Sequence, residues 1–180
     1  MSDSPNHAGQ GVFDARDFRN ALGTFATGVT IVTTRSVDGN PIGVTCNSFG
    51  SVSLTPPLIL WSLSVYSPNL QVFLQAKHFA VNVLAHDQVE LSRRFSQPME
   101  DRFAGVARSA GEDGIPLIAN VAAQLECRNE ARHYSGDHAI LIGHVLRYVY
   151  RDVAPLVFWR GRYMNLQEWP GAPEPPKPLL

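Results

Sequence analysis

Apolar positions along this chain recur with two periods. Behind Asp14, a residue suited to capping, Phe18, Leu22 and Phe25 fall at helical spacing and predict a short amphipathic helix. Residues 29–34 (VTIVTT) are β-branched throughout. Asp38-Gly39 then signals a hairpin whose second arm runs through residues 42–46. Pro56-Pro57 opens an apolar strand at 58–64 (LILWSLS), and 79–84 (FAVNVL) reads as another. Ser67 followed by Pro68 predicts an N-cap and first turn, and Asp87 a cap for the helix 88–95 (QVELSRRF). Residues 96–120 read as a loop. Two long strands follow at 122–134 and 139–151, joined by Ser135-Gly136-Asp137-His138, and short strands at 155–161 and 163–166 turn at Gly161-Arg162. About six strands with short helices and no βαβ alternation predict a mainly β protein, an antiparallel barrel. No GxGxxG follows a strand, which disfavours a dinucleotide-binding α/β fold.

Composition narrows the class. Residues 1–12 read as disordered and 169–180 as a Pro-rich tail, leaving one domain over 13–168 of the 180 residues. A formal net charge of -1 without a basic cluster excludes a phosphate-backbone binder, so no nucleic acid is expected. The apolar runs are too short to span a membrane, and the N-terminus lacks a secretory pattern, so a cytoplasmic protein without membrane association is expected. Cys46 and Cys127 lie in strand-like segments without CxxC spacing, so neither a disulfide framework nor a metal site is expected.

The segment from Gly43 and Val44 through Thr45, Cys46, Asn47 and Ser48 to Ser53 is unusual. Its eleven residues carry four hydroxyls and one carboxamide but no charge. Small neutral donors and acceptors suit an uncharged heterocycle with amide-like edges, and a phosphate that hydroxyls and backbone can hold. The same residues could instead satisfy the polar rim of a barrel.

The words FATGVTIVTT, DGNPIGVTCNSFGSVSLTPPLIL, FAVNVLAHDQVELSRRF, DRFAG, GDHAILIGHV and PLVFWRGRY occur in that order. Together, over roughly residues 14–167, the chain resembles the short-chain flavin reductases, the reductase components of two-component flavin-dependent monooxygenases. The resemblance implies an FMN-binding split β-barrel with Greek-key topology and a homodimer. It further implies NADH- or NADPH-dependent reduction of FMN or FAD, released to a separate monooxygenase.

With that resemblance, Thr45, Asn47 and Ser48 become candidates for the isoalloxazine edge, where N1, O2, O4 and N5 accept and N3 donates. Ser62, Ser64 and Ser67 become candidates for the flavin phosphate, the last at a helix N-terminus. The resemblance places Arg94 and Arg102 on the phosphate or adenylate side and Tyr163 near the nicotinamide. Asn82, with Ala80 on its strand face, either positions the ring or satisfies a neighbouring strand. His138 is the candidate for positioning the nicotinamide carboxamide, with Asp137 fixing its tautomer, since hydride transfer is chiefly a matter of positioning. A non-enzymatic flavin carrier on the same barrel is the alternative, and an oxidase resembling the pyridoxamine-phosphate oxidases a further one.

Overall fold

The computed structural model describes residues 14–171; the segment 1–12 and nearly all of the Pro-rich tail lie outside the described residues. Helix α1 (Ala15–Leu22) starts where the Asp14 side chain accepts the Asp17 N–H at 2.7 Å. It ends at Gly23, so Phe25 lies beyond it, and Phe18, Leu22 and Phe25 are all exposed.

After β1 (Thr27–Gly28), strand β2 (Thr30–Arg35) is buried at every position but its last. Both of its faces are covered. Val32 joins a core with Trp61, Phe73, Phe79 and Leu141, while Ile31 and neighbouring Val29 join a second with Leu84, Phe95, Phe103 and Leu156. A strand covered on both faces reads as an unbroken β-branched run rather than as an alternation. The Asp38-Gly39 turn leads into β3 (Pro41–Cys46), paired antiparallel with β2. Strands β4 (Gly50–Leu54) and β5 (Pro57–Ser64) form the next hairpin, followed by α2 (Leu70–Gln75), β6 (His78–Val83) and α3 (Val89–Ser96).

Two expected helix starts move. The side chain of Asp87 caps nothing: the N-cap of α3 is Gln88, whose own amide is spent on the Ala85 N–H and the Ala119 carbonyl. Ser67 sits in a turn two residues before the N-cap Asn69, and α2 is only six residues long. The predicted loop 96–120 contains a small hairpin, β7 (Arg108–Ala110) and β8 (Pro116–Ile118). Three-residue strands are too short to impose a period, which is why pattern reading passed over them.

The long strands β9 (Ala123–Ser135) and β10 (His138–Tyr150) are central, and β11 (Val157–Trp159) and β12 (Arg162–Met164) close the chain beside β1. Ala139, Leu141 and Gly143 alternate inward on β10, as period-two strands should. Gly143 is required there, because a Cβ would lie 2.5 Å from the Phe79 ring. From Leu146 to Tyr150 the strand is wholly exposed.

Seven strands make one antiparallel sheet in the order β3-β2-β6-β9-β10-β5-β4. Strands β3 and β4, consecutive in sequence, lie at its opposite edges. The sheet curls so that those edges approach: just beyond β3, the Ser48 hydroxyl donates to the Ser62 carbonyl at 3.0 Å and accepts the Ser62 N–H at 2.9 Å on β5. This is the mainly β, antiparallel split barrel that the strand pattern and the resemblance led one to expect.

Candidate functional site

The predicted residues separate into three groups. The first gathers where β5 ends and β10 begins. Ser62 and Ser64 lie on β5, His138 opens β10 directly opposite Ser64, and the Val65 N–H binds the Asp137 carbonyl at 2.9 Å. The Ser64 and Ser67 hydroxyls accept the Tyr66 and Asn69 N–H groups, both at 3.3 Å. Among the described residues the hydroxyls of Ser62, Ser64 and Ser67 have no acceptor for their own protons. Three uncommitted donors on one rim suit an anionic oxygen group. The helix-dipole contribution expected beside Ser67 is weak, because α2 is short and begins three residues later.

His138 is exposed, and its Nδ1 lies 2.8 Å from the Asp137 carboxylate. That hydrogen bond, with the charge of the same ring, holds the Asp137 carboxyl below the usual carboxylate range. A carboxylate can only accept, so Nδ1 carries a proton towards Asp137, and when the ring holds that proton alone Nε2 is an acceptor. An outward acceptor suits the N–H of a carboxamide.

The second group surrounds α3. The Thr45 hydroxyl donates to the Ser92 carbonyl at 2.8 Å, and the Ser92 hydroxyl lies 2.9 Å from the Tyr163 hydroxyl. The Tyr163 ring meets Phe158 edge-on at 5.4 Å, with the Arg93 guanidinium over it at 5.7 Å. Arg94 donates to the Ala104 carbonyl at 2.6 Å, and Arg102 to the carbonyls of Gln97 and Gly43 at 2.9 and 3.2 Å. Neither guanidinium has a carboxylate partner among the described residues, so both positive charges are uncompensated and suited to a phosphate. Asn47, at the exit of β3 between the two groups, is exposed and has no hydrogen-bond partner for its carboxamide among the described residues.

The third group is interior: of the two roles left open for Asn82 it takes the structural one, and at Ala80, Gly43 and Val44 the side-chain position expected beside a ligand is covered by protein. Asn82 is fully buried, and its carboxamide is saturated: it donates to the Ile31 carbonyl and Thr33 hydroxyl and accepts from the Ile118 N–H and the Gln124 amide. Ala80 beside it is also fully buried. Gly43 leaves the space that the Phe95 ring fills, 2.6 Å from where a Cβ would stand, and Val44 packs in the barrel core. All four side-chain positions are buried; Gly43 seats α3 on the sheet, Asn82 ties β8 to it, and Val44 fills the core beneath. Ser48 is a partial correction, since its hydroxyl proton is committed to Ser62 and cannot be donated to a flavin.

Sequence reasoning missed Ser92, although a serine amid the polar face of QVELSRRF gave little signal that it would be 1% exposed. Cys46, inside the neutral segment, has its sulfur 3.1 Å from the Thr30 hydroxyl, and burial raises its pKa, outweighing the hydrogen bonds that oppose it.

This donor set fits a flavin: neutral groups at the exit of β3, hydroxyl protons on β5 and uncompensated arginines beside α3. Residues 22–167 match the family model described as the flavin reductase-like domain. The chain belongs to the flavin reductase-like family.

Its relatives within the family include an FMN reductase (NADH) of Agrobacterium fabrum, 47% identical over 150 residues, with 83% of this chain and 85% of that protein covered. The reductase component of a flavin-dependent trigonelline monooxygenase of Acinetobacter baylyi is 45% identical over 150 residues, which is 83% of this chain but 48% of that protein. This flavin reductase-like chain therefore spans about half the length of that relative. Among solved structures, an NADH:FAD oxidoreductase of Streptomyces globisporus, determined in complex with NAD and FAD fragments, is 35% identical with a TM-score of 0.81, over 88% of this chain and 98% of that one.

Proposed function

We propose that this protein is an NADH- or NADPH-dependent flavin reductase that reduces FMN or FAD and supplies the product to a separate monooxygenase. One observation carries the reading. An uncharged hydrogen-bonding rim, Asn47 with Ser62, Ser64 and Ser67, borders an exposed histidine whose tautomer is set by Asp137.

A bound flavin supplies the hydride acceptor, its N5. The chain supplies position. The serine protons at β5 and the cationic pair Arg94 and Arg102 beside α3 are the groups that would hold phosphate oxygens, and the groups at the exit of β3 would read the ring's polar edge. Nε2 of His138 would accept from the nicotinamide carboxamide and so help to orient it. No proton needs to leave a side chain for hydride transfer, which fits a site whose groups bind and orient rather than titrate.

The exposed apolar side chains on and just after α1 (Phe18, Leu22, Phe25) and along the outer half of β10 (Leu146, Tyr148, Val149, Tyr150) support a homodimer that covers them. No helix among the described residues is long and apolar enough to cross a membrane, and both cysteines are unpaired, which supports a cytoplasmic setting.

The test is steady-state oxidation of NADH and NADPH in the presence of FMN, FAD or riboflavin. Flavin-dependent turnover above background is expected. Tight flavin binding with oxidation at background would make the protein a carrier instead.

A further inference from the structure

Where β5 gives way to α2 the chain reverses, and the reversal is pinned residue by residue. Val65 packs inward on the barrel core beside Leu63, and its N–H binds the Asp137 carbonyl at 2.9 Å. The Ser64 hydroxyl accepts the Tyr66 N–H at 3.3 Å, and the Ser64 carbonyl accepts the Ser67 N–H at 3.0 Å. With Val65 packed inside, Tyr66 is carried outward on a fixed backbone and is 83% exposed. Among the described residues its ring meets no other aromatic ring, and its hydroxyl has no hydrogen-bond partner.

A single exposed aromatic on an ordinary surface needs no explanation. Tyr66 is not on an ordinary surface. It stands between Ser64 and Ser67, whose hydroxyl protons are unspent and suit an anionic oxygen group. At about 3.8 Å per residue, its Cα lies within about 8 Å of either serine's. The neighbouring turn leaves room: a Cβ added at Gly136 would meet nothing within 4 Å. Residues 64–68 carry no charge, so the side chain that this turn can offer a second ligand group is an aromatic face.

A mononucleotide ends at its phosphate. A dinucleotide continues from that phosphate through a second one and a ribose to adenine, a flat base with an apolar face and a polar rim. Tyrosine matches such a base with a rigid ring and a polar tip, and a ring already held out on a pinned turn loses little freedom on stacking.

We propose that Tyr66 is the stacking platform for the adenine ring of a dinucleotide, and so sets a preference for dinucleotide over mononucleotide ligands at this rim. This rests on the flavin-reductase reading above and deepens it. FAD and NADH both carry the ring, and the test separates them.

Calorimetric titration compares FAD with FMN, and steady-state kinetics with FMN as acceptor compares NADH with reduced nicotinamide mononucleotide. Each comparison is made on the wild-type protein, Tyr66→Phe and Tyr66→Ala. The wild-type protein should favour the adenine-bearing member of at least one pair. Tyr66→Ala should weaken that member roughly 5- to 30-fold, the scale of one base on one aromatic ring, and shift its mononucleotide counterpart less than about twofold. Tyr66→Phe keeps the ring face and should behave as the wild-type protein does. A loss in FAD affinity identifies the flavin's adenine, and a rise in the KM of NADH that of the nicotinamide dinucleotide.

If the wild-type protein shows equal affinity for FAD and FMN and equal KM for NADH and the mononucleotide, the assignment of Tyr66 is overturned without any variant. It is overturned too if Tyr66→Ala keeps the adenine preference, or weakens both members of a pair alike. Wild-type protein that binds neither flavin and oxidises no NADH would instead sink the flavin reading, and the adenine platform with it.

Discussion

At Asn82 all four hydrogen-bonding positions of the side chain are taken by protein. At Asn47, on the rim, none of them has a partner among the described residues. The contrast separates a structural amide from one available to a ligand, although the two read alike as polar residues in strand-like surroundings. Replacing Asn82 with alanine strands several buried donors and acceptors and should cost about 2 to 4 kcal/mol in urea unfolding. A loss under about 0.5 kcal/mol, the scale of an ordinary surface substitution, would show the network to be dispensable. Ser48→Ala removes the bridge between the barrel edges and should destabilise the flavin-free protein by about 1 to 2 kcal/mol. Cys127 supplies a pH dependence. Burial, with Glu126 beside it, pushes its thiol up to about 12. The folded state keeps a proton that the unfolded chain releases near the ordinary cysteine pKa of about 8.5, so stability should fall as pH rises above that value. Cys127→Ala should flatten this alkaline limb in melts taken across pH.

Among the elements, α3 does the most for the site while being lightly marked in the sequence. It supplies Ser92 to Thr45 and Tyr163, places Arg93 over the Tyr163 ring, and seats Phe95 against Gly43. Gly43→Ala would put a methyl 2.6 Å from the Phe95 ring and should destabilise by about 1 to 3 kcal/mol, partly relieved by adding Phe95→Leu. If Gly43→Ala melts like the parent, the helix is less tightly docked than the structure shows. The long strands, the Asp38-Gly39 hairpin and Asp14 as an N-cap were legible because each has a local cause: β-branched runs, turn chemistry, a capping side chain. The donors around β5 and His138 were legible in type and order. What escaped was tertiary. Nothing local says that Asn82 and Gly43 face inward, that Asp87 leaves the cap of α3 to Gln88, or that the three-residue strands β7 and β8 pair within a polar loop. Those outcomes depend on which face of a strand the rest of the chain covers.

For the molecule as a whole, the exposed apolar face of α1 and the bare outer half of β10 predict a dimer. Light scattering at micromolar concentration should give about twice the 19.8 kDa chain mass. A mass near one chain would contradict this. The central claim is that the rim holding His138 catalyses flavin reduction by positioning the nicotinamide. It is tested most directly by anaerobic single-turnover mixing of flavin-saturated protein with NADH or NADPH, followed by loss of the oxidised-flavin absorbance and paired with a flavin titration. Reduction well above the protein-free rate is expected. His138→Ala should slow reduction roughly 10- to 100-fold, about 1.4 to 2.7 kcal/mol, while flavin affinity stays within a few-fold. Reduction by the wild-type protein at the protein-free rate, or a His138→Ala variant that loses flavin yet reduces what remains bound at the parent rate, would contradict that claim.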